Sequence, residues 1–136
     1  MTKNNSPTPL FKKLGITHDS EIMVLNQPKK YLDFFYDFPS NVVINETENN
    51  QQFEFIHIFV KTVKELDHFY KIAKISLKKN GILWISWPKK TSKIESELDK
   101  FMIMKYGLNN GLVDTKVASI DEDWSGHKFV YRLKDR

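Results

Sequence analysis

The sequence predicts an α/β fold: a mostly parallel sheet of about six strands, ending in an antiparallel β-hairpin, with helices between the strands. Three observations predict it. Short, nearly continuous apolar runs at 22–25, 42–44, 55–60 and 82–87 have the length and composition of strands buried on both faces. Segments of helical spacing alternate with them, as in a parallel sheet covered by helices. After Gly111 the apolar period changes from ~3.6 to ~2, which marks two further strands.

Each element has local reasons. Residues 1–8 are polar and are expected to be a flexible N-terminus, with 9–136 forming a single domain. Pro9 suits the first position of a short helix, with Thr8 as N-cap, Leu10 and Leu14 on one face, and Gly15 past the end. Ile22–Leu25 is the first strand, ended by Asn26-Gln27. From Pro28 to about Phe38, helical spacing of Tyr31, Phe34, Phe35 and Phe38 predicts a helix, broken by Pro39-Ser40-Asn41. Val42–Ile44 is the second strand, Asn45–Gln52 a surface loop, and Phe55–Val60 the third strand. The loop is shorter than the ~10–12 residues of an ordinary parallel crossover. Extended, it reaches about 27 Å, enough to cross under the sheet without a helix. A parallel arrangement is preferred, with an antiparallel hairpin of these two strands as the alternative.

Thr62-Val63-Lys64-Glu65 is a capping box opening a helix whose buried stripe is Val63, Leu66, Tyr70, Ala73 and Leu77. Lys78 and Lys79 suit its C-terminal dipole, and Asn80-Gly81 is its stop signal. Ile82–Trp87 is a central strand. Ser92–Glu95 is a second capping box, opening a helix that carries Ile94, Leu98, Phe101, Met102 and Lys105 and ends at Gly107. Val113–Asp121 and Lys128–Leu133 form the hairpin, with Glu122–His127 as its turn.

Composition narrows the function classes. The 136 residues are enough for one domain with a real core, and 40% hydrophobic and 28% charged residues fit a globular chain. No run approaches the ~18–20 apolar residues of a membrane span. Met1–Pro9 lacks the apolar stretch of a secretory signal, so a cytoplasmic location is expected. The absence of cysteine excludes a disulfide scaffold, a thiolate metal site and a cysteine nucleophile. Lys+Arg 21 against Asp+Glu 17 gives a net charge of +4 and a pI near 9.2.

Several segments together resemble the bacterial family catalogued as domain of unknown function 3052. They are Thr8-Pro9-Leu10, Lys12–Ile16, Leu83–Lys90, Gly107-Leu108, Gly111–Asp114, Lys116-Val117, Ile120–Glu122, Trp124–Gly126 and Phe129-Val130. The resemblance covers nearly the whole chain and implies no catalytic residue. Leu77–Leu83 and the final hairpin are also similar, more distantly, to class I S-adenosylmethionine-dependent methyltransferases, which implies a Rossmann-like three-layer sandwich. That likeness stops at the cofactor loop. A glycine-rich loop would follow the first strand, where only glycine lets backbone approach the cofactor closely. Here the segment reads Leu25-Asn26-Gln27-Pro28-Lys29. Glu46 is the one acid near the end of the second strand, and Val60-Lys61-Thr62 offers none after the third. S-adenosylmethionine is therefore not expected, and no other cofactor is.

In such a fold the loops 26–30, 87–91 and 121–127 share the carboxyl edge of the sheet, where ligands of open α/β sheets bind. The candidate ligand-binding residues are Lys29, Trp87, Lys89, Lys90, Asp121, Glu122, Trp124 and Ser125, which would form a pocket for a small anionic or planar ligand. Lys30 and Asp123 share that edge. The plainer alternative is that the lysines pair with the acids while the tryptophans plug the sheet end. Ser125 with His127 and Asp123 is a weak triad candidate, since neighbours on a turn rarely converge on one atom and no G-x-S-x-G elbow is present. Turn capping by serine and aspartate is the favoured reading. His18, His57, His68 and His127 lack metal-ligand spacing; His57 is expected to be a hydrogen-bonded core histidine. The aromatics at 31–38 are read as core. Of the 21 basic residues only Arg132 and Arg136 are arginine, so specific nucleic-acid readout is not expected. The leading expectation is a non-catalytic or regulatory binding domain on a degenerate methyltransferase-like scaffold. The alternatives are a transferase with an atypical site at the Lys89/Asp121/Trp124 edge and a weak nucleic-acid binder.

Overall fold

In a computed structural model that describes residues 8–136, six strands form one sheet in the order β2-β1-β3-β4-β6-β5. The strands are β1 (Glu21–Leu25), β2 (Val43–Asn45), β3 (Phe53–Phe59), β4 (Leu77–Pro88), β5 (Leu112–Ser119) and β6 (Trp124–Tyr131). The helices are α1 (Leu10–Leu14), α2 (Val63–Ser76) and α3 (Lys100–Asn109). β2 and β3 lie on either side of β1, both parallel to it, and β4 continues the parallel set beside β3. β6 is antiparallel to both β4 and β5, so the hairpin inserts one reversed strand. The expected sheet, including the parallel setting of the second and third strands, is therefore present. A short crossover suffices because β2 has only three residues, about 10 Å of rise.

The central strands β1, β3 and the second half of β4 are buried on both faces because two cores flank them. Met23, Leu25, Ile56, Ile58, Leu83, Ile85 and Trp87 pack under α2 and α3 with Leu66, Tyr70, Ala73 and Ile103. Ile22, Val24, Phe59 and Trp84 face the other way, under α1 and the aromatic segment Tyr31, Phe34 and Phe35. The result is the three-layer sandwich. Trp84 Nε1–H donates to the Leu14 carbonyl at 2.7 Å, tying α1 to the central strand. No helix among the described residues is long and apolar enough to cross a membrane.

Several local expectations are corrected. Residues 1–7 lie outside the described residues. The N-cap of α1 is Pro9, which has no capping side chain, rather than Thr8. The 28–38 segment forms only a single 3-10 turn at Tyr31–Phe34, and Phe35 is already extended. Aromatics and aspartates are indifferent helix formers, and the segment gains more by laying Tyr31, Phe34 and Phe35 on the sheet. α2 ends at Ser76 and passes directly into β4, so Lys78, Lys79, Asn80 and Gly81 are strand residues rather than a helix end. The hidden cause is long-range: Leu77 pairs with Phe53 and Lys78 Nζ with Glu54 at 3.7 Å. Val63 begins α2 but is exposed.

The second capping box opens no helix. The Ser92 hydroxyl donates to Asp123 Oδ1 at 2.8 Å while accepting from Ile94 N–H. The helix starts instead at Asp99, whose carboxylate accepts from Met102 N–H at 2.9 Å. α3 runs through Gly107 to Asn109; it buries Ile103 and Gly107, while Phe101 is exposed. The hairpin turn is also tighter than expected. Ser119 pairs with Ser125, so Trp124–His127 belong to β6 rather than to the turn.

Candidate functional site

The strand order reverses at β1, since β2 lies on one side of it and β3 on the other. In open α/β sheets this is where a crevice opens beyond the carboxyl ends of the strands. Here two side-chain hydrogen bonds span the strand ends at that position. Asn26, the first residue after β1, takes the left-handed conformation at φ +61° that a glycine would ordinarily supply. Its Nδ2 donates to the carbonyl of Phe59, the last residue of β3, at 2.9 Å. The carboxamide thus bridges the two strand ends that would flank a ligand. Gln27 Nε2 donates to Glu46 just beyond β2, so the one acid near that strand end already has a partner.

The expected gathering of loops 26–30, 87–91 and 121–127 occurs, and its members engage one another. Lys29 Nζ lies 3.6 Å from the buried carboxylate of Asp121 and 4.5 Å from the centre of the Phe34 ring. Asp121 Oδ1 accepts from Asp123 N–H and Trp124 N–H at 2.8 and 2.9 Å, so it shapes the hairpin turn as an Asx cap. The backbone N–H of Lys89 donates to the Asp123 carbonyl at 2.8 Å, and its Nζ to Ser119 Oγ at 2.6 Å. Glu122 is exposed at the turn, and Lys30 is exposed on its own loop. The two tryptophans do not wall a common pocket. Trp87 is buried under α2 and α3, and Trp124 is buried in the opposite core against Phe59. Trp87 pairs with Ser125, and Trp124, one residue before Ser125, points to the other face because successive strand residues alternate. Ser125 is a ladder residue of β6, opposite Trp87 and Ser119. Of the expected turn capping by serine and aspartate, the aspartate part is performed by Asp121.

The weak triad is not assembled. His127 bonds through Nε2 to Asp114 Oδ2 at 3.1 Å, while Asp123 accepts from Ser92. Burial lowers the His127 pKa below its ordinary value, with Asp114 opposing, and its Nδ1 is buried without a hydrogen-bond partner among the described residues. His57 sits in the core, as expected, held by Tyr31 Oη on Nδ1 and Ser86 Oγ on Nε2, each at 2.7 Å. Burial pulls its pKa down to about 3. The ring is therefore neutral at ordinary pH, with one nitrogen donating and the other accepting. Tyr31, Phe34 and Phe35 are core, as read from the sequence.

An accessible groove lies one strand further along the same edge. This groove, of about 800 Å³, runs between the end of β3 and the segment after β4, lined by Lys61, Lys89, Lys90, Lys93 and residues of 94–99. Of the residues picked from sequence, only Lys89 and Lys90 line it. Lys61 and Lys93 were missed. Lys61 directly follows the third strand, and that position was a sufficient signal. Lys93 was hidden inside the expected helix.

No family model and no curated protein matches the chain. Among solved structures, the chain is similar to a SAM-dependent methyltransferase from Aquifex aeolicus (TM-score 0.59, 12% identity, covering 88% of this chain and 86% of that one). It is also similar to ribosomal protein L11 methylase from Lactobacillus delbrueckii subsp. bulgaricus (TM-score 0.57, 9% identity, 90% and 75% covered). A third is precorrin-6y C5,15-methyltransferase from Geobacter metallireducens (TM-score 0.54, 11% identity, 90% and 86% covered). At these identities the likeness shows a methyltransferase-like fold.

Proposed function

We propose that this chain is a non-catalytic binding domain, built on a methyltransferase-like scaffold whose cofactor crevice is closed by its own side chains. The observation that carries the reading is the Asn26 bridge to Phe59 across the ends of β1 and β3. A side chain there takes the room that close backbone approach to a cofactor requires. Pro28 contributes no N–H to the same loop, and Gln27 holds Glu46, so a ribose would have to displace an existing hydrogen bond. The resemblance to the bacterial family of unassigned activity belongs to this reading and rests on the segments quoted above.

The similar solved structures favour a second reading, a transferase that uses S-adenosylmethionine. Calorimetric titration separates the two. Neither S-adenosylmethionine nor S-adenosylhomocysteine is expected to give binding heat at concentrations up to about 1 mM. A saturable isotherm with micromolar Kd would overturn the non-catalytic reading in favour of the transferase.

A further inference from the structure

We infer that the groove between Lys61 and Asp99 binds a compact small molecule carrying clustered phosphate groups. This rests on the reading of the chain as a binding domain. The groove lies beyond the carboxyl ends of the adjacent parallel strands β3 and β4, and its volume of about 800 Å³ suits a small ligand. Lys61 lines it from one strand end and Lys89, Lys90 and Lys93 from the next, Lys89 with its Nζ bonded to Ser119 Oγ. Lys61, Lys90 and Lys93 make no ion pair among the described residues.

The groove also contains carboxylates, and two of them are committed elsewhere. Glu97 Oε1 accepts from Val63 N–H at the start of α2, at 2.7 Å. Asp99 caps the start of α3. Each faces a helix N-terminus, which carries roughly half a positive charge. Four lysines therefore face three carboxylates, of which Glu95 is the one not seated at a helix N-terminus.

The walls are pinned before any ligand arrives. Ser96 Oγ donates to the Lys61 carbonyl at 2.7 Å, Glu97 N–H to the same carbonyl at 3.3 Å, and Ser92 Oγ to Asp123. The segment between β4 and α3 is therefore held against β3 at one end and against the hairpin turn at the other, and this preorganisation reduces the ordering cost of binding. The lining determines the ligand class. It contains no aromatic side chain and no arginine, so neither base stacking nor bidentate base recognition is available. Ammonium groups act as point charges and match phosphate oxygens without reading a base.

The test is calorimetric titration of the full chain with sodium tripolyphosphate at fixed ionic strength. Parallel arms use sodium sulfate, a ten-nucleotide single-stranded DNA and S-adenosylmethionine. Tripolyphosphate is expected to bind and sulfate to bind far more weakly. The double variant Lys61→Gln/Lys93→Gln removes two surface charges and is expected to raise Kd by about 100-fold, at about tenfold per charge-assisted contact. Lys134→Gln, at an exposed position outside the groove, is expected to leave Kd unchanged. Absence of tripolyphosphate binding would overturn the proposal, as would binding that the double variant does not weaken. Oligonucleotide binding tighter than tripolyphosphate at the same salt would overturn the compact-ligand assignment. Tight S-adenosylmethionine binding would overturn the binding-domain reading, and the lysine variants would still decide the groove.

Discussion

Asn26 offers the sharpest mutational prediction. It combines a left-handed backbone at φ +61° with a side-chain bond to the carbonyl of fully buried Phe59. Asn26→Ala loses that bond and leaves a buried carbonyl short of a donor, a cost of about 1–2 kcal/mol. It also places a side chain that cannot bond locally in the left-handed region, adding about 1 kcal/mol. Asn26→Gly loses the same bond but relaxes the backbone. The expected destabilisation is therefore about 2–3 kcal/mol for alanine and about 1–2 kcal/mol for glycine. Urea unfolding with a common m-value measures both, and the alanine variant melts roughly 6–12 °C lower. An alanine variant within about 0.5 kcal/mol of wild type, or a glycine variant less stable than the alanine one, would refute the claim that this side chain closes the crevice and holds the strand ends.

Other outcomes follow from the same geometry. His57 has a folded pKa of about 3 against an ordinary 6.5, so the unfolded chain binds the extra proton between those values. Its contribution is complete above about pH 7.5 and falls on acidification at up to about 1.4 kcal/mol per pH unit, which urea titrations at pH 7.5 and 5 detect as about 2 kcal/mol. His57→Gln, which does not titrate, should show a correspondingly shallower slope; an identical slope would reject the assignment. Gly107→Ala, ordinarily favourable in a helix, is expected to destabilise by about 1–3 kcal/mol. The added Cβ would lie 2.2 Å from the Phe129 ring, and a thermal melt higher than wild type would contradict this. Asp121→Ala removes two turn bonds and the Lys29 pair and is expected to cost about 2 kcal/mol, with unfolding of the purified variant as the measurement.

The sequence was most legible where one local signal and burial agree. The apolar runs at 22–25, 55–60 and 82–87 became strands covered on both faces, and Thr62 caps α2 as its hydroxyl predicted. Even there the second half of the box differs, since Glu65 reaches back to Lys61 N–H rather than to Thr62. Legibility failed where a distant partner took over a local group. Ser92 looked like a cap, but its hydroxyl is engaged by Asp123 from the hairpin turn. Asn80-Gly81 looked like a stop, but strand pairing with Phe53 and Phe55 draws the chain into β4 first. The same division applies to the site. The expected topology brought the loops of Lys29, Lys89 and Asp121–Asp123 to one edge, where Lys29 pairs with Asp121 and the Lys89 N–H with the Asp123 carbonyl. The alternation of side chains across the sheet then sent Trp87 and Trp124 to opposite cores, a fact that depends on register. Lys93 became visible only once 92–99 was seen to be a pinned loop rather than a helix.

The central claim is that the switch-point crevice is closed and that the ligand edge has moved to the groove beside it. Backbone amide spectra of labelled protein, recorded with S-adenosylmethionine added to about 1 mM, test it most directly. No saturable shift is expected at Leu25, Asn26, Gln27 or Phe59. Saturable shifts at those amides would place the cofactor between β1 and β3 and contradict it.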